Sequence, residues 1–206
     1  MAKNCKWEYP EAIVECDWLN NRLGDQNIRI YDCTTYLHYT DNDPRKPYDV
    51  ESGLKNYQKS HIPNAAYLDL QNGLSDNSSC YSFTLPNLDQ LAASFKQLGV
   101  GDPHHVILYS QNGMQWATRV WWMLRAVGFD NASILNGGSM EWGRLSFPTE
   151  STVNTFDPAD FKVKARSDIF VGKESVLESM EDEFSVLLNA LTEDLHTGKN
   201  PRYGRR

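Results

Sequence analysis

No apolar run in this chain of 206 residues approaches the roughly 20 needed to cross a bilayer as a helix. The opening stretch MAKNCKWEYPEA has neither the apolar core of a secretory signal nor the arginine-rich pattern of a transit peptide. Positive charge is in deficit: 20 Lys and Arg stand against 27 Asp and Glu, a net charge of −7. No basic run appears before Arg202, Arg205 and Arg206, which argues against general nucleic-acid binding. Cysteine is scarce, and Cys5, Cys16, Cys33 and Cys80 include no CxxC pair, so a disulfide framework is not expected. His104 and His105 have no Cys or Asp partners at metal-ligand spacing and read as solvated loop histidines. A GxSxG motif is missing too, which leaves a serine hydrolase unsupported. Together these absences make a cytosolic, reducing compartment the expectation, with no membrane, metal or cofactor.

What is present is ordinary for a globular protein, 40% hydrophobic and 23% charged, with length for one or two domains. The organising stretch is HVILYSQNGMQWATRVWWMLRAVGFDNASILNGG, residues 105–138. An apolar strand at 106–109 breaks at Ser110 into the polar loop Gln111-Asn112-Gly113. A helix follows, with Ala117, Val120, Trp121 and Leu124 on one face. Gly128 stops that helix, and a second apolar strand at 132–135 ends at Gly137-Gly138. The loop therefore lies at the carboxyl end of a parallel strand, where open α/β sheets bind ligands.

In chain order, 11–24 contains a short helix with Trp18, Leu19 and Leu23 inward, and 28–32 reads as a strand. Residues 40–50, with Pro44 and Pro47, read as a surface excursion. A short helix is expected at 52–60, then the turn His61-Ile62-Pro63-Asn64-Ala65 and a strand at 66–70. Asn64 tolerates positive φ, which that turn requires. After a polar loop at 71–83, residues 86–99 form a helix, with Leu88, Leu91, Ala92, Phe95 and Leu98 on one face and Asn87 as N-cap. A short helix starts at Met140-Glu141-Trp142 and packs Trp142 under the sheet. Alternation of strands and helices predicts an α/β fold, a doubly wound, mainly parallel sheet flanked by helices. Residues 147–165 read as a linker. Beyond it, a helix at 173–182 and a strand at 184–189 repeat the opening pattern of the first domain.

The segment HIPNAAYLDL, with WATRVWWMLRAVGF and SILNGGSMEW, resembles the first half of the tandem-domain rhodaneses, the thiosulfate or 3-mercaptopyruvate sulfurtransferases. The resemblance covers nearly the whole chain. It implies a first rhodanese-like domain at 1–146, a linker at 147–165 and the beginning of a second, incomplete rhodanese-like domain at 166–206. It also implies transfer of sulfane sulfur from thiosulfate or 3-mercaptopyruvate to a thiol or cyanide, through a persulfide on a second-domain cysteine beyond Arg206. The partners would be a small-molecule sulfur donor and a thiol acceptor, and by family a mitochondrial location joins the cytoplasmic one. The alternative is a catalytically inactive binding or scaffold domain, since Ser110 stands at the degenerate cysteine position and no catalytic residue is expected in this chain.

Chemistry agrees with that reading of Ser110. A sulfur carrier must attack as an anion, and a thiol ionises near neutral pH where a hydroxyl does not. Ser110 is expected to bond nearby amides; the sharper reading is an anion cradle formed by the loop amides before Trp116. Arg119 is expected to be structural or interfacial, paired with Asp32 or Asp69. By resemblance Arg202 is the substrate-binding arginine. Leu191 and Leu195 occupy the positions where a second substrate arginine belongs. Cys33, at a strand end, is the cysteine a reactive reading would single out. A phosphatase on this fold needs a cysteine and an arginine closing the same loop; Ser110 lacks the thiol and Arg119 is too far into the helix. If the second domain is truly incomplete, its apolar surface implies self-association.

Overall fold

The computed structural model describes residues 9–40 and 47–200. In chain order the strands are β1 (Ile13–Val14), β2 (Ile28–Asp32), β3 (Thr35–Tyr39), β4 (Tyr48–Ser52), β5 (Ala65–Tyr67), β6 (His105–Tyr109) and β7 (Ala132–Leu135). The helices are α1 (Cys16–Asn20), α2 (Leu54–Tyr57), α3 (Leu70–Gly73), α4 (Leu88–Gln97), α5 (Gln115–Ala126), α6 (Gly138–Arg144), α7 (Lys173–Ser179) and α8 (Glu193–His196). The chain divides into two compact units, Met1–Tyr36 with Ser52–Arg166, and Leu37–Glu51 with Ser167–Arg206.

The first unit holds a five-stranded sheet in the order β1-β7-β6-β2-β5, with every adjacent pair parallel. This is the doubly wound α/β architecture the alternation predicts. On one face Cys16, Leu19 and Trp142 pack against Ile30, Ile107, Tyr109 and Leu135. The alternate residues Val106 and Leu108 are also fully buried and so face the other side. There α5 packs on β6 and β7, and α4 packs on α5. Burial on both faces explains why 106–109 and 132–135 read as continuous apolar runs.

Local signals act as their chemistry dictates. The Asn87 side chain accepts from the Gln90 amide at 2.9 Å, capping α4. Asn64 takes φ 65°, and its amide side chain reaches the Leu23 carbonyl at 2.8 Å. Gly128 ends α5 at φ 87°, and a Cβ there would meet the Lys164 backbone at 2.7 Å. The missing side chain lets 147–166 run closely over the unit. Lys164 N donates to Val127 O and Arg166 N to Ala126 O, while His61 and Glu150 exchange backbone bonds at 2.9 Å. The stretch read as a linker is thus held along the first unit.

Three expectations change, and one strand was not anticipated. The short helix expected within 11–24 forms as α1, and a helical turn and the edge strand β1 precede it. Two residues are too few for a periodic signal, yet Ile13 and Val14 pair with Ile134 and Leu135. The strand expected at 66–70 stops at Tyr67, because Asp69 caps α3 by accepting from Asn72 N. The excursion at 40–50 is entered by β3 and left by β4, which pair as a separate two-stranded sheet; 41–46 lies outside the described residues. The strand expected at 184–189 does not form, and Phe184, Val186 and Leu188 are 92%, 81% and 89% exposed. A strand needs a neighbour for its backbone groups, and sequence pattern alone cannot supply one.

Candidate functional site

Because β2 and β6 run parallel in register, Asp32 stands beside Tyr109 and the two strands end together. Ser110 follows, buried, with its hydroxyl oxygen accepting from Ala117 N at 3.2 Å. That bond staples the loop entry to the first turn of α5. Gln111 N donates to Thr34 Oγ1 at 2.8 Å, and Gln111 Nε2 donates to Asp32 Oδ2 at 2.8 Å. Asn112 Nδ2 reaches the Thr35 carbonyl at 2.8 Å. Asp32 is fully buried; its other oxygen accepts from Thr34 N at 2.9 Å and from the Thr34 hydroxyl. Burial pushes the Asp32 carboxyl above its ordinary range, opposed by the Thr34 and Gln111 bonds. The loop is therefore pinned to the end of β2 by a side-chain network.

Between this loop and the turn after β7 lies a cavity of about 290 Å³, bordered by Ser110, Gly113, Met114, Ala117 and Gly138. Gly138 takes φ 55°, and a Cβ there would stand 2.6 Å from the Ser110 carbonyl oxygen. Both the backbone conformation and the close approach require glycine. Gly138→Ala is expected to cost about 2–3 kcal/mol and to displace the loop. Chemical denaturation with amide exchange at 110–113 would check this; unchanged stability and exchange would contradict it.

A larger cavity of about 410 Å³ lies at the amino ends of β6 and β7, beside Trp18, His105 and Ser133. The Ser133 hydroxyl donates to Glu11 O at 2.6 Å, so its contact with His105 Nε2 at 2.7 Å is one it receives. With its proton committed to a carbonyl, Ser133 is a structural tie and not an activated nucleophile. His105 is accordingly not a solvated loop residue: it opens β6, and burial lowers its pKa.

None of the described cysteines lines the loop cavity, although the Cys16 thiol donates to the Asn136 carbonyl at 3.5 Å. Cys16 is buried and its thiol is pushed up to about 11, by burial first and then by Glu141 and Glu15. Cys33 is fully buried and its thiol is raised by burial and then by Asp32, as a small packed thiol would be and a reactive one would not. Cys80 is exposed, and Cys5 lies outside the described residues. Among the described residues no three of His, Cys, Asp and Glu converge as a metal-binding group.

Arg119 donates through Nη2 to the Phe83 carbonyl. Asp32 is engaged by Thr34 and Gln111, and Asp69 caps α3. Arg202 lies outside the described residues. Thr34 escaped the sequence reading, and Gln111 appeared there only as a loop residue, because neither belongs to a periodic pattern. His61 appeared there only as a turn residue; it is buried, donates from Nδ1 to Tyr57 O at 2.6 Å and stacks on the Tyr57 ring.

Sheet, loop and cavity together define a doubly wound α/β domain in which a central strand passes through a short loop directly into a helix. Residues 15–145 match the rhodanese-like domain model, and the chain belongs to that family. It is 29% identical over 194 residues to thiosulfate/3-mercaptopyruvate sulfurtransferase 2 of Arabidopsis thaliana, covering 84% of this chain and 54% of that protein. It is 31% identical over 176 residues to 3-mercaptopyruvate sulfurtransferase of Homo sapiens, covering 82% and 56%. The crystal structure of SseA from Escherichia coli, described as a 3-mercaptopyruvate sulfotransferase, superposes with TM-score 0.66 at 28% identity, covering 82% of this chain and 62% of that one. The chain spans about half the length of the curated relatives it matches. Among the described residues no helix is long and apolar enough to cross a membrane.

Proposed function

We propose that this chain is the non-catalytic part of a tandem sulfurtransferase, with the sulfur-carrying cysteine outside these 206 residues. Residues 1–146 form the first rhodanese-like domain, 147–165 connect, and 166–206 open the second. The observation that carries this reading is the loop itself: Ser110 stands where a carrier thiol belongs, and its hydroxyl is tied to Ala117 N. In the reaction, a thiolate attacks the outer sulfur of thiosulfate, and sulfite leaves with the electron pair of the S–S bond. Cyanide or a thiolate then takes the terminal sulfur of the persulfide, returning the cysteine thiolate. Ser110 cannot replace that group, because its hydroxyl is not ionised without a base. Arg202 binds the donor's carboxylate or sulfonate through its planar guanidinium. The donor is a small molecule, the acceptor is a thiol, and the compartment is cytoplasmic or mitochondrial.

A sulfur-transfer assay with thiosulfate and 3-mercaptopyruvate as donors and cyanide as acceptor tests this. The chain alone is expected to give no turnover. Turnover by the unaltered chain that vanishes on Cys80→Ser would overturn the reading.

A further inference from the structure

We propose that the cavity beside the Ser110 loop is a binding site for a small, uncharged, largely apolar molecule, and not for an anionic sulfur donor. Its floor is made by Tyr109, Ala117, Ile134 and Leu135, all buried. No charged residue lines it. The polar side chains that do line it, Tyr109, Ser110 and Asn136, are uncharged and each is bonded to a protein neighbour, Tyr109 Oη accepting from Ile62 N at 3.2 Å. Ser110 Oγ accepts from Ala117 N, and Asn136 Nδ2 donates to both Glu15 carboxylate oxygens at 3.0 and 3.2 Å. An anion entering here would lose its hydration without gaining a cationic partner, a cost the walls do not offset.

The mouth carries a second, independent feature. Met114 and Met140 line the cavity and are 54% and 73% exposed, although Met is an apolar side chain. Flexible, polarisable thioethers at a rim can close over ligands of varied outline. A volume of about 290 Å³ is at the small end of ligand pockets, fitting a single ring with a short substituent. This site is separate from the sulfur-transfer reading, which places the reacting thiol elsewhere, so either can fail alone.

The test is titration of the isotope-labelled full chain, followed by amide chemical shifts, with methyl phenyl sulfoxide and with benzenesulfonate, an anion of similar outline. The sulfoxide is expected to bind in the millimolar range, as a fragment would, with shifts confined to 109–117 and 134–140. Benzenesulfonate is expected to bind at least about tenfold more weakly. Ala117→Leu should fill the cavity and abolish the shifts. Should that variant fail to fold, Met140→Glu, altering only an exposed rim, is expected to weaken the sulfoxide about tenfold. Equal or tighter binding of benzenesulfonate, shifts centred elsewhere, no shifts up to the solubility limit, or Met140→Glu without effect would each overturn the proposal. Binding of both probes only at nonspecific, non-saturating levels counts against it equally.

Discussion

Trp142→Ala is expected to lower the unfolding free energy by about 3–5 kcal/mol, the range for emptying a large buried aromatic position. Trp142 is 1% exposed and packs in the cluster that includes Ile107, Tyr109 and Leu135. Its ring meets Phe147 edge-on at 5.0 Å, and its Nε1 donates to Pro148 O at 2.8 Å. Truncation therefore leaves a cavity beneath β6 and β7 and a carbonyl without its donor. Because α6 begins at Gly138, against the Ser110 carbonyl, the damage should reach the loop cavity. Trp142→Phe keeps the ring packing and loses the hydrogen bond, so about half the effect is expected. Urea denaturation of the three proteins checks this. Equal losses for Ala and Phe would mean that the Pro148 bond, not packing, dominates.

Trp142 also shows what kind of information a sequence carries. Its burial was legible because a helix beginning after Gly137-Gly138 must turn an aromatic side chain toward the sheet. The same holds for β2, β6, β7, α4 and α5, whose apolar residues recur at the spacing of their own geometry. The rhodanese-like family was legible for a related reason: its motifs span the strand, loop and helix that build the site. β1 was not legible, since a two-residue strand exists only through its pairing with β7. The strand at 184–189 failed in the opposite sense, having the composition of a strand without the neighbour. At the site, Ser110 and the absence of a loop thiol could be read directly. The pinning by Asp32, Thr34 and Gln111 could not, because it joins residues 79 positions apart that meet only when two parallel strands end side by side.

Asp32→Ala is expected to cost about 2–4 kcal/mol, because Thr34 N, the Thr34 hydroxyl and Gln111 Nε2 would lose a buried acceptor together. Amide exchange at 110–113 should rise, since Gln111 would no longer be held at the end of β2. Asp32→Asn separates geometry from charge. It keeps the shape and one acceptor, and Gln111 can turn its amide to match. The charge has its own signature, set by the raised folded-state pKa of Asp32. At low pH the carboxyl is protonated in both states. As pH rises, the unfolded chain releases this proton first while the folded protein still holds it, so the folded state binds more protons across that window. Stability from Asp32 therefore falls as pH rises from the ordinary value of 3.8 through the raised one. Asp130, Glu141 and Asp160 have the opposite sign, since their partners Arg166, Arg144 and Lys96 lower their values. The overall profile mixes both, but the difference between the unaltered protein and Asp32→Asn isolates one residue. That difference is expected to move in favour of Asp32→Asn as pH rises through the carboxylate range. Parallel profiles for the two proteins would show that Asp32 ionises as easily in the folded state as in the unfolded one, and that the three donors fully offset its burial.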